Sequence, residues 1–359
     1  MYGVTVLWRR MMISICIIVK NDFDNMEKCL SLLKHLGYEI VVVDTGSTDN
    51  TIAVSKKYTN LVYEFIWCND FSAARNYAIL KASNPYILMV DSDEMLVDFD
   101  KKELERLVIQ NPTGIGRIHR NNPFERNGNQ FIGKELVNRL FPKDLFHYEG
   151  KVHEQLVANK GGMVESYEVP LTFFHEGYNG TYEQRIAKAE RNIKLLDEML
   201  SENKQDTYIL YQLGKSYYFK QCYQQAVEYF EQAFQYDLNP KLEYVIDMIE
   251  VYGYALINAK QYEKALGLEN LSDDFGNTAD FNFLLGLIYQ ENARFDQAVG
   301  HYLKATQYND ARMDGVNGYL AFYNIGVIFE CLGLKDKAIQ HYKKCGDYKK
   351  AMEGINRCQ

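Results

Sequence analysis

A chain of 359 residues, 47% hydrophobic and 25% charged, is long enough for two domains with buried cores and is not the composition of a disordered chain. The net charge of -8 is spread evenly along the sequence, which leaves no basic stripe to attract nucleic acid. Seven cysteines, at positions 16, 29, 68, 222, 331, 345 and 358, form an odd and scattered set without a C-x-x-C pair, so neither a zinc knuckle nor a disulfide framework is indicated and a reducing cytoplasm is expected.

The first apolar run, Met11 to Val19, follows Arg9-Arg10 and so imitates a signal sequence. It lacks a small-residue cleavage site, is too short to span a bilayer and stops at Lys20-Asn21-Asp22. Ile13–Val19 is therefore expected as a buried strand, with natural translation starting at Met11 or Met12 and no role for the residues before them.

The pattern then alternates. A helix is predicted over Asn25–Leu36, a strand over Ile40–Asp44, a helix over Thr48–Tyr58, a strand over Leu61–Ile66, a helix over Phe71–Ala82 and a strand over Tyr86–Asp91, with short connections throughout. Such a chain folds as a parallel α/β sheet with helices on both faces, and ligands of open sheets of this kind sit beyond the carboxyl ends of the strands. Asp44 and Asp91 both fall at such ends.

Strand two ends in V-V-V-D-T-G-S-T-D-N-T, where Gly46 permits a tight turn and Ser47 or Thr48 can cap the next helix. Alone, this reads as an ordinary capped turn. The fourth strand ends in M-V-D-S-D-E, and the combination favours a ligand. Asp44 can accept from a base N–H or a ribose hydroxyl. Asp93 can hold a hard divalent cation while Asp91 meets ribose or a metal-bound water, and the cation would neutralise a leaving diphosphate.

Near residue 178 the character changes. Only Pro240 of the six prolines lies beyond residue 170, which suits long helices. The pairs Gly214/Ala226, Gly253/Ala265, Gly286/Ala298 and Gly326/Ala338 share one spacing, accompanied by L-G-x-x-Y and A-x-x-x-[YF]. Small residues at this spacing let two antiparallel helices approach closely, with the aromatics expected to fill the space between units. The unit starts deviate from a period of about 34, so two units carry insertions. Residues 180–202 read as an amphipathic connecting helix, and the expected organisation is 1–178, 179–205 and 206–359.

The ordered set I-V-K-N-D (18–22), V-V-V-D-T-G-S-T-D-N-T (41–51), N-D-F-S-A-A-R-N (69–76), V-D-S-D-E (90–94) and K-V-H-E-Q-L (151–156) resembles family 2 glycosyltransferases of the GT-A fold. With W-x-N-D-F-S-x-A-R-N, G-K-V-H-E, H-x-G-Y-N, a basic R-x-x-K-x-x-R-N helix and repeats that resemble tetratricopeptide units, the chain is similar to the sublancin-type peptide S-glycosyltransferases. The resemblance implies that Asp44 holds the uracil of a UDP-sugar, that Lys20, Arg75 and Asn76 lie near the nucleotide or diphosphate, and that Asp91-Ser92-Asp93 is a D-x-D motif for Mg2+ or Mn2+. It places Glu154 as catalytic base with His153 orienting its neighbours, and His175 as a third metal contact. Thr45 stands where many members carry a second Asp, so fewer nucleotide contacts are expected there.

Read on the residues alone, His153 is equally a satisfied strand histidine, Glu154 a surface carboxylate and His175 a histidine paired to a backbone carbonyl. The other five histidines have no constellation around them. The favoured function is an inverting hexosyl transfer from a UDP-sugar to a Cys or Ser side chain of a peptide. A cell-surface saccharide or lipid-linked sugar is the second acceptor class and an inactive repeat scaffold the third reading, and the repeat surface suits a homodimer. Intact D-x-D and His-Glu motifs argue against the scaffold, and no membrane-docking helix is visible.

Overall fold

The computed structural model describes residues 13–126, 129–162, 164–175 and 182–359. The chain divides into two compact units, Met1–Thr181 and Tyr182–Gln359. The expected start at Met11 or Met12, the 178/179 boundary and most of H-x-G-Y-N lie outside the described residues.

In the first unit β1 (Ile13–Val19), β2 (Glu39–Asp44), β3 (Val62–Glu64) and β4 (Tyr86–Asp91) alternate with α1 (Phe23–Leu33), α2 (Thr51–Ser55) and α3 (Phe71–Lys81). All four strands run parallel, in the order β3-β2-β1-β4. Both faces of β1 are covered. Ile13, Ile15, Ile17 and Val19 pack with Met26, Cys29, Leu30 and Leu33, which recur at one-face helical spacing on α1, while Cys16 packs with Ala78 and Ile79 of α3 on the other face. This explains the unbroken apolar runs of the sequence.

The sheet does not stop there. β5 (Glu94–Phe99), α4 (Lys101–Gln110), β6 (Ile115–Arg126), β7 (Asn129–Pro142) and β10 (Ser166–His175) extend it to eight strands, and β8 (Phe146–Glu149) pairs with β9 (Gln155–Ala158) in a separate ribbon. β7 runs antiparallel to β4 and β6, and β5 antiparallel to β10, so the sheet is mixed rather than wholly parallel as expected. Asp100 caps α4 by accepting from the backbone of Lys102 and Glu103 at 3.0 Å each.

α2 is shorter than predicted because its expected caps are committed elsewhere. Ser47 Oγ accepts from the backbone of Asn21 at 2.8 Å, and the backbone of Thr48 donates to Asn21 Oδ1 at 2.7 Å. Asn21 takes a left-handed backbone, φ 48°, a conformation asparagine tolerates. Gly46, at φ 104°, makes the predicted tight turn. The loops leaving β1 and β2 are thereby stitched side by side.

The second unit is all helical. α5 (Tyr182–Glu202) precedes the pairs α6 (Thr207–Phe219) with α7 (Tyr223–Ala233), α8 (Glu243–Asn258) with the short α9 (Tyr262–Ala265) and α10 (Ser272–Phe275), α11 (Ala279–Glu291) with α12 (Phe295–Ala305), and α13 (Tyr319–Cys331) with α14 (Lys335–Tyr342), before α15 (Lys349–Cys358). The repeat glycines work as the spacing predicts, and the aromatics fill space both within and between units. Phe230, Tyr302 and Tyr342 press on the glycine of their own unit's first helix, Gly214, Gly286 and Gly326, while Phe230 also meets Tyr252 of the next pair with ring centroids 6.2 Å apart and Tyr342 lies against Gly354 of α15. A Cβ on Gly286 would lie 2.6 Å from the ring of Tyr302, which is fully buried. Replacing glycine by alanine in a helix gains about 1 kcal/mol, whereas overpacking a buried ring costs about 1–3 kcal/mol. Gly286→Ala is therefore expected to lower the urea midpoint, and an unchanged or higher midpoint would show that the ring retreats freely. No helix among the described residues is long and apolar enough to cross a membrane.

Candidate active site

The carboxyl ends of β1, β2 and β4 open on one edge of the sheet. Asp44 ends β2 and is almost wholly buried. Its Oδ2 accepts from the backbone of Gly46 and Ser47 at 2.9 Å each, while Oδ1 is buried without a protein partner. A carboxylate oxygen left so has room for one more donor, as a base N–H would supply. Lys20 is exposed on the neighbouring loop.

Asp91 ends β4 and meets two guanidiniums. Arg75 Nη2 donates to Oδ1 at 2.7 Å and Arg139 Nη2 to Oδ2 at 2.5 Å. Burial opposes its charge, yet the Arg139 and Arg75 guanidiniums outweigh this and hold the carboxyl well below the usual carboxylate range. Both oxygens thus accept from arginine, which makes Asp91 a poorer cation ligand than Asp93. The third carboxylate of the hexapeptide, Glu94, is fully buried, accepts from Arg139 and Arg120 at 2.9 Å each, and takes the backbone N–H of Asp91 at 3.0 Å.

Asp93 lies the other way. Its Oδ2 is 3.3 Å from His175 Nε2, a meeting set by the antiparallel register that places His175 opposite Glu94. Asn122 directs its amide NH2 to Glu135 and its Oδ1 to His175 Nδ1, 2.8 Å away, so Nδ1 carries a proton and Nε2 is the nitrogen turned to Asp93. Facing a carboxylate, Nε2 either donates a proton to it or offers a lone pair beside it. Nearby, Ser92 Oγ donates to Asp22 Oδ2 at 2.5 Å, and burial, with Asp93 close by, pushes the Asp22 carboxyl up. Among the described residues no group of three or more His, Cys, Asp and Glu side chains forms a complete metal cage. The carboxylate of Asp93 and the imidazole of His175 could give a divalent cation two contacts, a donor pair that suits Mn2+ better than Mg2+.

The N-D-F-S turn and the V-H-E loop are joined. The backbone of Phe71 donates to the Lys151 carbonyl at 2.8 Å, and Asp70 caps α3 by accepting from Ala73 at 2.9 Å. This capped helix carries Arg75 to Glu154, where Arg75 Nε donates to Glu154 Oε1. His153 takes a left-handed backbone at φ 50°, which sharpens the turn that presents Glu154. Asn76 is braced on both sides by Tyr148, donating to its carbonyl and accepting from its N–H at 2.9 Å each. It therefore anchors β8, whose buried Tyr148 ring lies under Arg75 at 5.5 Å. Arg75, Asp91 and Glu154 are thus brought together, as are Asp93 and His175. Arg139, Arg120, Glu94 and Tyr148 were not singled out by sequence; Glu94 stood in the quoted hexapeptide, and the one available signal for Arg139 was a charge inside the otherwise apolar L-V-N-R-L-F.

Residues 14–162 match the pattern described as glycosyl transferase family 2. Residues 207–240, 279–312 and 319–351 match the tetratricopeptide repeat. The chain is similar to the SPbeta prophage-derived glycosyltransferase SunS of Bacillus subtilis (strain 168), 27% identical over 278 residues that cover 76% of this chain and 65% of that protein. It is also similar to a TPR repeat-containing protein of Synechococcus elongatus, 28% identical over 216 residues, 56% of this chain and 51% of that one. Against the poly(ribitol-phosphate) beta-glucosyltransferase of Bacillus spizizenii the identity is 32% over 158 residues, 38% of this chain and 25% of that one. The chain thus spans between a quarter and two thirds of the length of these relatives. Residues 14–162 thus carry a glycosyl transferase family 2 domain, and the second unit carries tetratricopeptide repeats.

Proposed function

We propose that the first unit is an inverting hexosyltransferase that moves a sugar from a UDP-sugar to a Cys or Ser side chain of a peptide or protein. The observation that carries this reading is the shared guanidinium of Arg75, which holds the first carboxylate of D-x-D and the Glu of V-H-E within one side chain's reach. Glu154 is thereby tied to the exit of β4, beside Asp93 and at the edge of the sheet where open α/β sheets take their ligands.

Asp44 Oδ1 receives the uracil N–H. Asp93 and His175 hold a divalent cation, which when bound neutralises charge on the leaving diphosphate. Glu154 takes the proton of the acceptor thiol or hydroxyl as the sulfur or oxygen bonds to the anomeric carbon from the face opposite UDP. The bond from that carbon to the diphosphate oxygen breaks, and UDP leaves with its electron pair. The repeats supply a surface for the peptide, and the similarity to SunS supports the peptide acceptor. A second reading, a saccharide acceptor, rests on the similarity to the poly(ribitol-phosphate) glucosyltransferase. The cysteines are all free, in keeping with a cytoplasmic site of action.

The test is UDP release from a panel of UDP-sugars with Mn2+ or Mg2+ and then with EDTA, repeated with a cysteine peptide, its thiol-capped form and a polyol-phosphate saccharide. Release from one donor, lost in EDTA and in Asp93→Asn, is expected. Full activity of Asp93→Asn would overturn the metal assignment, and stimulation by the saccharide alone would favour the second acceptor.

A further inference from the structure

The ion pairs behind the strand exits form a single chain. Arg75 joins Glu154 to Asp91, Arg139 joins Asp91 to Glu94, and Arg120 joins Glu94 to Glu135. The side chains of Arg75 and Arg139 are each 7% exposed and that of Glu94 is 0% exposed, while that of Asp91 between them is 25% exposed, so water reaches the chain at Asp91 and is kept from the groups on either side. Buried ion pairs are a weak source of stability, because desolvation offsets much of their attraction. What they supply well is direction: Arg75 and Arg120 each hold two partners through different nitrogens of one planar guanidinium, and Arg139 sets Nη2 between Asp91 and Glu94.

We propose that Arg139 is a positioning residue for sugar transfer. It sets Asp91 against Glu94, Asp91 sets Arg75, and Arg75 aims Glu154. In this arrangement Asp91 is an anchor of the proton acceptor and not a ligand of the cation, and a residue on β7 governs a proton transfer it does not touch. The inference rests on the reading of Glu154 as the group that takes the acceptor proton.

The experiment is a cycle on the full chain with Arg139→Lys, Glu154→Gln and the double variant, comparing kcat and KM for sugar transfer, with calorimetric binding of UDP in the presence of Mn2+ alongside. Arg139 reaches both carboxylates through Nη2 alone; lysine keeps the charge, but its shorter stem does not carry the ammonium to the same point between Asp91 and Glu94. The expected result is a fall in kcat of about tenfold or more for Arg139→Lys, with UDP affinity within about threefold of wild type, and less than about twofold further loss when the same change is made in the Glu154→Gln background. Equal losses in both backgrounds, or UDP affinity falling in step with kcat, would overturn it. Should Arg139→Lys not fold, Glu94→Gln loosens the same arginine from its far side and must give the same pattern. A wild-type chain that neither binds UDP with Mn2+ nor releases it from any donor overturns the underlying reading and this inference with it, whereas active wild type with an additive cycle removes the inference alone.

Discussion

Replacing Glu154 by Gln is expected to lower kcat by about 10²- to 10⁴-fold, the range in which a positioned general base contributes, while UDP-sugar affinity changes by less than about threefold. The amide keeps an oxygen for Arg75 Nε, the bond that orients Glu154 now, so the loop and the arginine stay in place and proton acceptance alone is lost. Steady-state kinetics set beside calorimetric donor binding make the comparison. If both fall by the same factor, Glu154 holds the donor and is not the base.

The size of that loss also reports the acceptor. A thiol has an unperturbed pKa of about 8.5, whereas an aliphatic hydroxyl does not ionise in the accessible range, so a thiol increasingly deprotonates itself as pH rises. With a cysteine acceptor the penalty of Glu154→Gln is therefore expected to shrink above about pH 8.5; with serine or a sugar hydroxyl it stays constant with pH. Transfer rates of wild type and variant measured from pH 6.5 to about 9.5 separate the two. A penalty that does not move with pH would exclude the thiol even if a cysteine peptide is the one modified.

The parallel half of the sheet is legible because β1 and β4 are buried on both faces by α1 and α3 and announce themselves as apolar runs. The other half is not. β6 and β7 carry Arg117, Arg120, Lys134 and Glu135 among their apolar residues, and an antiparallel pair with one wet face gives only a weak alternation. The same division runs through the site. Asp44, Asp91, Asp93 and Glu154 are written into short motifs at strand exits. His175 joins them only because β10 returns antiparallel to β5 and sets it opposite Glu94, and Arg139 only because β7 pairs with β4 through Leu140 opposite Leu88. Register of that kind is a property of the folded sheet, and no local spacing carries it. Asn76 shows the converse. It stands in a motif with Arg75, yet its amide braces the backbone of Tyr148 from both sides, so one motif contains both a group that pairs with Asp91 and Glu154 and a group that fixes a neighbouring strand.

Asp91→Asn carries the largest expected loss of stability. The carboxylate accepts from Arg75 and Arg139 through separate oxygens. An amide offers one acceptor and one donor, so one of the two guanidiniums must face an N–H, and two buried cations lose the anion that lies between them. Removing one partner of a buried pair costs about 3–5 kcal/mol, whereas removing both is far cheaper. A second substitution, Arg139→Met, should therefore return part of the stability that Asp91→Asn loses, with a coupling of about 1–3 kcal/mol in the double variant. Glu94 keeps Arg120 as a partner in that background, so the repair does not strand a second buried charge. Urea denaturation of wild type, both single variants and the double variant measures this. Strict additivity would mean that Asp91 and Arg139 stabilise the fold independently, and the continuous chain from Glu94 to Glu154 would then be a geometric coincidence rather than a mechanical link.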